Sequence, residues 1–312
     1  MSEVVEATRD AYGRALVKLG EERGDVVVLD ADLSGSTRTN KFAEKYPDRF
    51  FNAGVAEQNL INMAAGLALA GKVPFASTFA IFATGRAWEQ VRNTVAYSRL
   101  PVRIVATHAG LTVGPDGASH QALEDIALTR VIPGMKVIVP ADGEEAEAVV
   151  RAAVDFEGPV YVRLGRAKVP TVTDGNFELG RGTTLSNGDD VVIIACGIMV
   201  AAALEASRRL RDRGVGCRVI NMSTVKPLDE ELIVRAARDC GAVVTAEEHN
   251  ILGGLGSAVT ELLAERYPVP VLRIGVRDVF GQSGSSDELL QYYGLMPQDI
   301  EVACRKAMEL RG

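Results

Sequence analysis

The feature of this 312-residue chain that most constrains its fold is an alternation between short β-branched runs and longer helical patterns. The runs that we interpret as strands in the first half are residues 26–29, 102–107, 136–140 and 160–164. Apolar residues recur every three or four positions in segments 56–70, 81–98, 123–131 and 143–155, which is typical of helices with one buried face. Because parallel strands need long crossover connections, this alternation predicts an α/β fold built on parallel sheets.

The alternation lapses once, between Lys168 and Asp190, where Gly, Thr, Asn and Asp are frequent and neither period is sustained. We interpret residues 169–189 as a linker between two domains, residues 1–168 and residues 190–312. A second cycle of strands and helices begins after it, at the VVIIACG run. The sequence therefore predicts two parallel-sheet α/β domains, each long enough to bury its own core.

The composition argues against two classes of partner. A net charge of −7 opposes the broad basic face that neutralises nucleic-acid phosphates. The N-terminal segment is charged and amphipathic, and no apolar run approaches the roughly 18 residues of a membrane span. The four cysteines lack a CxxC pair and are expected to be reduced core residues. We therefore expect a cytoplasmic protein that binds neither nucleic acid nor a membrane.

Two of the three histidines, His108 and His120, bracket a glycine-rich loop, THAGLTVGPDGASHQ, that directly follows the strand run 102–107. Loops at the carboxyl ends of parallel strands are where such sheets bind ligands. Imidazole transfers protons near neutral pH, and a glycine-rich backbone allows a substrate to approach closely. A single histidine is more often structural, but two histidines with Asp116 in one such loop predict a site for a sugar-like substrate.

Glu57 opens a helical segment that is otherwise almost wholly apolar and small, NAGVAEQNLINMAAGLALAG. A helix of this kind is expected to be buried, so its acid would lie at or near the interior. The residues alone leave two interpretations open for Glu57: interaction with the helix dipole, worth about 0.3 to 1 kcal/mol when exposed, or a chemical role. Phe79 and Phe82, three positions apart, can likewise be ordinary core aromatics or a pair of rings that point the same way.

Arg166 follows the strand run 160–164, where a guanidinium can hold a phosphate with its forked donors. A solvated surface arginine is the alternative, and Arg163 competes for the same role.

Several segments, taken in order along the chain, resemble the last two domains of transketolases, the pyrimidine-binding domain and the C-terminal domain. They are VVVLDADL, NAGVAEQN, STFAIF, VATHAGLTVGPDGASHQ, VIVPAD, VRLGR, EEHNILGGLGS and FGQSGSSDELLQYYGL. The resemblance covers nearly the whole chain, and the match is to the split form of transketolase, which consists of two polypeptides. Short pieces such as AEQN are unspecific, whereas the ordered set around THxGxxVGxDGxSHQ is specific for the thiamine-diphosphate superfamily.

The resemblance implies cofactor-binding roles for four residues. Glu57 would hydrogen-bond the 1′-nitrogen of the aminopyrimidine of thiamine diphosphate and so help to activate the cofactor. Phe82, with Phe79 beside it, would flank or stack on the same ring. Asp32 matches a family acid near the cofactor, although a helix-capping aspartate explains it equally well.

The resemblance also implies a reaction, in which a two-carbon ketol unit passes from a ketose phosphate to an aldose phosphate. His108, Asp116 and His120 would face the sugar, with the two histidines helping to move hydroxyl protons. Arg166 would grip the substrate phosphate.

One departure from the family predicts a partner. The chain lacks the Gly-Asp-Gly and downstream Asn that bind magnesium and diphosphate, and no cluster in the sequence would build the octahedral oxygen shell of Mg²⁺. The resemblance therefore implies a separate N-terminal subunit that holds Mg²⁺ and the diphosphate, in an α2β2 heterotetramer favoured by symmetry. Gly85 is a smaller departure, because full-length transketolases often carry an aromatic residue there.

Other members of the superfamily share this domain order, namely deoxyxylulose-phosphate synthase and the beta subunit of 2-oxoacid dehydrogenases. The SHQ after GPDG, and AEQN instead of AEQH, favour transketolase. A non-catalytic partner subunit is a further alternative. Retention of all the predicted site residues argues against it.

Overall fold

The computed structural model of the protein describes residues 5–311. The strands of the first part are β1 (Val5–Ala7), β2 (Val26–Asp30), β3 (Phe50–Asn52), β4 (Val73–Phe79), β5 (Arg103–Thr107), β6 (Lys136–Ile138), β7 (Val160–Arg163) and β8 (Lys168–Pro170). The helices of this part are α1 (Thr8–Glu22), α2 (Ser34–Thr37), α3 (Asn40–Lys45), α4 (Glu57–Leu69), α5 (Asp125–Arg130) and α6 (Gly143–Ala153).

The second part contains six further strands and five helices. The strands are β9 (Thr183–Ser186), β10 (Val191–Ala195), β11 (Cys217–Asn221), β12 (Thr224–Lys226), β13 (Val243–Asn250) and β14 (Val271–Val276). The helices are α7 (Met199–Arg211), α8 (Glu230–Cys240), α9 (Leu255–Arg266), α10 (Ser286–Tyr292) and α11 (Pro297–Leu310).

Two sheets dominate the fold. The larger has the strand order β12-β6-β7-β5-β4-β2-β3, and the smaller has the order β14-β13-β10-β11-β9. All neighbours within them are parallel except the edge strands β12 and β9, which are antiparallel. This confirms the prediction of two parallel-dominated α/β sheets.

Helices cover both faces of the larger sheet, as the hydrophobic strand runs require. Along β2, Val26 and Val28 pack into one apolar cluster, whereas Val27 and Leu29 pack into another on the opposite face. The first cluster includes residues of α1 and α6, and the second includes residues of α4. The strand is therefore buried on both sides, which explains why its sequence is continuously apolar rather than alternating.

The helix expected at residues 81–98 is not a regular α-helix. It consists largely of two π-helical segments, Phe82–Arg86 and Gln90–Tyr97, separated by residues 87–89. Apolar periodicity reports which face of a helix is buried, but not whether each N–H bonds four or five residues back. Wide turns of this kind often occur at functional sites, and this one follows the strand that carries Phe79.

The segment predicted as a linker is not devoid of regular structure. At its start, β8 pairs with β1, and near its end β9 forms the edge of the smaller sheet. These strands have three and four residues, too few for an apolar period to be visible in the sequence. The second part of the chain also reaches back, because β12 joins the larger sheet beside β6.

Arg103, at the start of β5, provides a test of the packing beneath the site. The residue is 1% exposed, and its guanidinium donates to the carbonyls of Ala153, Val154, Phe156 and Gly158 at 2.7 to 3.2 Å. Replacing it in Arg103→Met leaves buried carbonyls without donors, so we expect the free energy of unfolding to fall by about 3 kcal/mol. Urea denaturation measures this loss.

The matched control is Arg151→Met, which removes an exposed arginine from the outer side of α6. It should change the free energy of unfolding by less than about 0.5 kcal/mol. Equal effects of the two substitutions would contradict a structural role of the Arg103 hydrogen bonds.

Candidate functional site

The predicted site residues meet at the carboxyl edge of the larger sheet. Strands β7, β5, β4, β2 and β3 are consecutive neighbours in that sheet, so the loops that follow them converge. The residues at or beyond these five strand ends are, in the same order, Arg166, His108, Phe79, Asp32 and Glu57. The strand order therefore brings together side chains that are up to 134 positions apart in the sequence, from Asp32 to Arg166.

Four rings form an aromatic cluster in the middle of this edge. Phe79 and Phe82 stack with centroids 5.9 Å apart and planes 11° from parallel. His108 stacks on Phe79 at 3.9 Å, and His120 presents its edge to Phe82 at 5.5 Å. The two histidines predicted to face one substrate thus lie against the same pair of rings.

Glu57 is the first residue of α4, and its side chain is 2% exposed. Both carboxylate oxygens accept hydrogen bonds of 2.9 Å from Nη1 of Arg86, whose side chain is 52% exposed. The Arg86 guanidinium also lies 4.7 Å from the centroid of the Phe82 ring. The buried carboxylate therefore adjoins the aromatic cluster through a cation that solvent can reach.

The hydrogen bonds of His108 define its tautomer. Arg9 Nη1 lies 3.0 Å from His108 Nε2, and because a guanidinium only donates, Nε2 must be an acceptor. The proton of the neutral ring is then on Nδ1, from which it is donated to Thr107 Oγ1 at 2.9 Å. Burial, followed by repulsion from Arg9 and other nearby cations, lowers the pKa of His108 to about 3. His108 is therefore neutral at physiological pH.

Arginines concentrate the positive charge of this acidic chain beside His108. Arg166 Nη1 donates to the carbonyl of Val113 at 2.7 Å and lies 3.4 Å from Asp116 Oδ1. Arg9, Arg38 and Arg166 all act electrostatically on His108. The Nε atom of Arg9 is buried and has no hydrogen-bond partner within residues 5–311. The arrangement suits an anionic group, since it offers several donors in one place.

Arg163, the competing candidate at this strand end, points elsewhere. Its side chain is 6% exposed, and Nε lies 2.8 Å from a carboxylate oxygen of Asp125. Its Nη2 donates to the carbonyls of Ala122 and Glu248. Arg163 therefore links buried elements of the fold, whereas Arg166 is the arginine of this strand end that lies beside the glycine-rich loop.

Asp32 does not cap a helix. It has a positive φ of 64°, is exposed, and exchanges hydrogen bonds with Asn52 on the neighbouring strand end. The acid that organises the following turn is Asp30, which accepts hydrogen bonds from the Leu33 amide and the Thr37 hydroxyl. The helix-cap alternative for Asp32 is therefore wrong, and its carboxylate faces solvent at the carboxyl edge.

The glycine-rich loop is held in place by the second part of the chain. Glu248, on β13, accepts a hydrogen bond of 2.7 Å from the Thr112 amide. A Cβ at Gly110, which has a φ of +81°, would lie 2.2 Å from the Glu248 carboxyl carbon. Gln121 donates to the carbonyl of Gln282. The loop that carries Asp116 thus depends on contacts with residues more than 130 positions later.

Three residues of the site were not among those predicted, namely Arg9, Arg86 and Glu248. Arg9 lies 99 positions before His108, and Glu248 lies 136 positions after Thr112, so no local motif joins them to the site. Arg86 is different, because it follows Phe82 by four positions in a predicted helix. Residues spaced by four on a helix are neighbours, so this signal was present in the sequence.

Within residues 5–311, no group of three or more His, Cys, Asp or Glu side chains is arranged to hold a metal ion. The same part of the chain contains no helix that is long and apolar enough to cross a membrane. All four cysteines are buried and unpaired.

Comparison with known proteins identifies the class. Residues 6–171 match the family described as "Transketolase, pyrimidine binding domain", and residues 180–300 match "Transketolase, C-terminal domain". The chain therefore belongs to the transketolase family of thiamine-diphosphate-dependent enzymes.

Individual relatives place the chain more narrowly. It is 51% identical to a transketolase C-terminal section from Methanocaldococcus jannaschii, over 99% of this chain and 98% of the relative. It is 42% identical to the 6-deoxy-6-sulfo-D-fructose transketolase subunit SqwH of Clostridium sp. strain MSTE9, over 96% and 94% of the two chains. A solved structure described as "Split gene transketolase, inactive beta4 tetramer" matches with a TM-score of 0.91 and 55% identity, over 98% of this chain and 99% of that one. The resemblance to the split form of transketolase is thereby confirmed.

Glu248 generates a prediction about pH. Burial raises its pKa to about 7 from an ordinary value of 4.5, and the attraction of Arg163 only partly opposes this. Between these two values the folded chain keeps a proton that the unfolded chain releases, so folding becomes less favourable as pH rises. Glu248→Gln has no such proton to lose, so the stability of wild type relative to the variant should fall by on the order of 3 kcal/mol between pH 4 and 8.

Urea denaturation of both proteins at several pH values measures this difference. Ionisable groups common to both proteins cancel in the comparison. Parallel stability curves for the two proteins would show that the Glu248 carboxyl titrates normally in the folded state.

Proposed function

We propose that this chain is the catalytic C-terminal subunit of a split transketolase, which transfers a two-carbon ketol unit from a ketose phosphate to an aldose phosphate. The observation that carries the proposal is the buried Glu57 carboxylate beside the stacked Phe79 and Phe82 rings. A buried acid next to flat aromatic surfaces suits a heteroaromatic ring that has a basic nitrogen.

These residues fit the aminopyrimidine part of thiamine diphosphate. Glu57 would hydrogen-bond the ring nitrogen, Phe82 with Phe79 would contact the ring faces, and Asp32 would lie at the exposed side of the same edge. Thiamine diphosphate, when bound, supplies the carbon nucleophile of the reaction. The contribution of this chain is to orient that ring and to hold a proton at the Glu57 carboxyl.

For the sugar, the geometry favours a division of roles between the histidines. His108 is neutral, and both of its ring nitrogens make hydrogen bonds. It therefore orients Arg9 and has no free nitrogen for proton transfer to a sugar. His120 bonds Ser119 through Nδ1, and its Nε2 makes no hydrogen bond within residues 5–311. His120 is therefore better suited to exchange a proton with a sugar hydroxyl, with Asp116 as an acceptor for another hydroxyl.

For the anionic end of the substrate, Arg166 is the proposed ligand, and Arg9 is a second one. One relative is named a 6-deoxy-6-sulfo-D-fructose transketolase subunit. The sugar in that name has a sulfonate at the position where a sugar phosphate has its phosphate. A cluster of arginines can bind either group. Sugar phosphates and sugar sulfonates should therefore both be tested as substrates.

The proposed enzyme requires an N-terminal subunit that binds the diphosphate and Mg²⁺, because the described residues offer no cluster for a metal ion. An exposed apolar side chain beside the acid supports a covered surface there, since Val55, two residues before Glu57, is 76% exposed. We propose an α2β2 assembly. The matching solved structure is described as an inactive assembly of beta chains, which agrees with a need for the second subunit.

Glu57→Gln tests the proposed role of the acid. The chain is mixed with its N-terminal partner, thiamine diphosphate and Mg²⁺, and ketol transfer from xylulose 5-phosphate is measured. We expect kcat to fall by at least about 100-fold, the usual scale for a lost acid-base group. Glu89→Gln, which changes an exposed glutamate, is the control and should retain full activity.

Three outcomes would decide against the proposal. Full activity of Glu57→Gln would exclude the catalytic role of the acid. Activity with pyruvate as donor instead of a ketose phosphate would indicate a synthase or dehydrogenase. Absence of any activity in the mixture would favour a non-catalytic subunit.

Arg166→Met tests recognition of the anion. The variant should raise KM for xylulose 5-phosphate by about 10-fold to 100-fold, because a charge-assisted contact to the phosphate is lost. Xylulose without the phosphate serves as the internal control, and its kcat/KM should change little. Equal losses with both sugars would show that Arg166 acts on the loop around Asp116 rather than on the phosphate.

A further inference from the structure

The contact between Arg86 and Glu57 is not explained by the proposed reaction. Nη1 of Arg86 lies 2.9 Å from both oxygens of the carboxylate, and the guanidinium covers the Phe82 ring at 4.7 Å. Gly85, the preceding residue, has no side chain that would compete for this position. Arg86 therefore contacts both of the groups that are proposed to hold the aminopyrimidine.

A buried carboxylate that lacks a partner is costly, because ionised groups lose their hydration when they leave water. Within residues 5–311, the hydrogen bonds to the Glu57 side chain come from Arg86 alone. Arg86 thus supplies the counter-charge that allows the Glu57 carboxylate to remain buried when no other donor is present.

The same geometry prevents simultaneous binding of a ring. A ring nitrogen that shares a proton with Glu57 must approach one of the oxygens that Arg86 contacts, and a ring stacked on Phe82 must replace the guanidinium. We propose that Arg86 is a reversible placeholder in the aminopyrimidine site, which stabilises the cofactor-free subunit and competes with thiamine diphosphate. This inference rests on the proposed function, because it takes Glu57 and Phe82 as the ring-binding groups.

The Arg86 guanidinium can readily move away from Glu57. Its side chain is half exposed, so the departing guanidinium regains water at once. Ion pairs with one exposed partner are weak and are screened by salt. A ligand that binds only the open form has an apparent Kd equal to its intrinsic Kd divided by the fraction of open form, so the effect of Arg86 on Kd should be about threefold to tenfold.

If Arg86 is such a placeholder, its removal should strengthen cofactor binding but destabilise the cofactor-free complex. Arg86→Ala should lower the Kd for thiamine diphosphate by about threefold to tenfold, because nothing has to be displaced. The same variant should lower the melting temperature of the cofactor-free complex, because Glu57 loses its counter-charge. Saturating thiamine diphosphate should remove this difference in melting temperature, since the ring then replaces the guanidinium.

The experiment uses the complex of this chain with its N-terminal partner subunit and Mg²⁺. Isothermal titration calorimetry with thiamine diphosphate gives Kd at two ionic strengths, and thermal melts are recorded with and without the cofactor. The variants are Arg86→Ala and Arg86→Lys. Arg86→Lys keeps the charge but not the planar guanidinium, so its Kd should lie between those of Arg86→Ala and wild type. Arg92→Ala removes an exposed arginine of the following segment and should match wild type.

The ratio of wild-type Kd to Arg86→Ala Kd should approach one as the salt concentration rises, because the ion pair is screened. An unchanged or higher Kd in Arg86→Ala would overturn the inference, since Arg86 would then be neutral or part of the bound state. Glu57→Gln separates this failure from failure of the proposed function. If Glu57→Gln abolishes activity while Arg86→Ala leaves Kd unchanged, only the placeholder is wrong.

Discussion

The site depends on the order of parallel strands in the larger sheet. Because β7, β5, β4, β2 and β3 are neighbours and run in one direction, their carboxyl ends lie side by side. Each strand needs only one residue of the right kind just past its end to contribute to a common site. Glu57, His108 and Arg166 share no local motif, and the order of the strands places them at the same edge of the sheet.

Charge is distributed unevenly around this edge. The chain carries a net charge of −7, yet Arg9, Arg38 and Arg166 all act electrostatically on His108. These cations and burial together lower the pKa of His108 and keep its imidazole neutral. At Glu57 the signs are reversed, because the buried carboxylate is paired with the positive charge of Arg86. An anionic substrate would therefore meet an environment that is already polarised in its favour, whereas a basic ring would have to replace Arg86 at Glu57.

The second part of the chain supports the candidate site through contacts with the glycine-rich loop and the larger sheet. Glu248 holds the Thr112 amide, and β12 extends the larger sheet beside β6. The glycine-rich loop has internal hydrogen bonds, such as that from the Gly117 amide to the Gly114 carbonyl, and these distant contacts hold it against the second part of the chain. The two sheets are therefore one functional unit, although each has its own set of crossover helices.

The sequence by itself determined the parallel α/β class, the apolar helix that Glu57 opens, and the glycine-rich loop between the two histidines. These features depend on local patterns, namely β-branched runs, helical periodicity and glycine positions, which act over a few residues. Tertiary structure alone decided that Arg9 bonds His108, that Arg163 points away from the site, and that Glu248 supports the loop. It also decided that the segment after Ile81 has wide π-helical turns and that the linker contains strands. Such contacts depend on strand order and on packing between positions distant in sequence, from 38 residues apart for Arg163 and Asp125 to 136 for Thr112 and Glu248, and a local period carries no information about either.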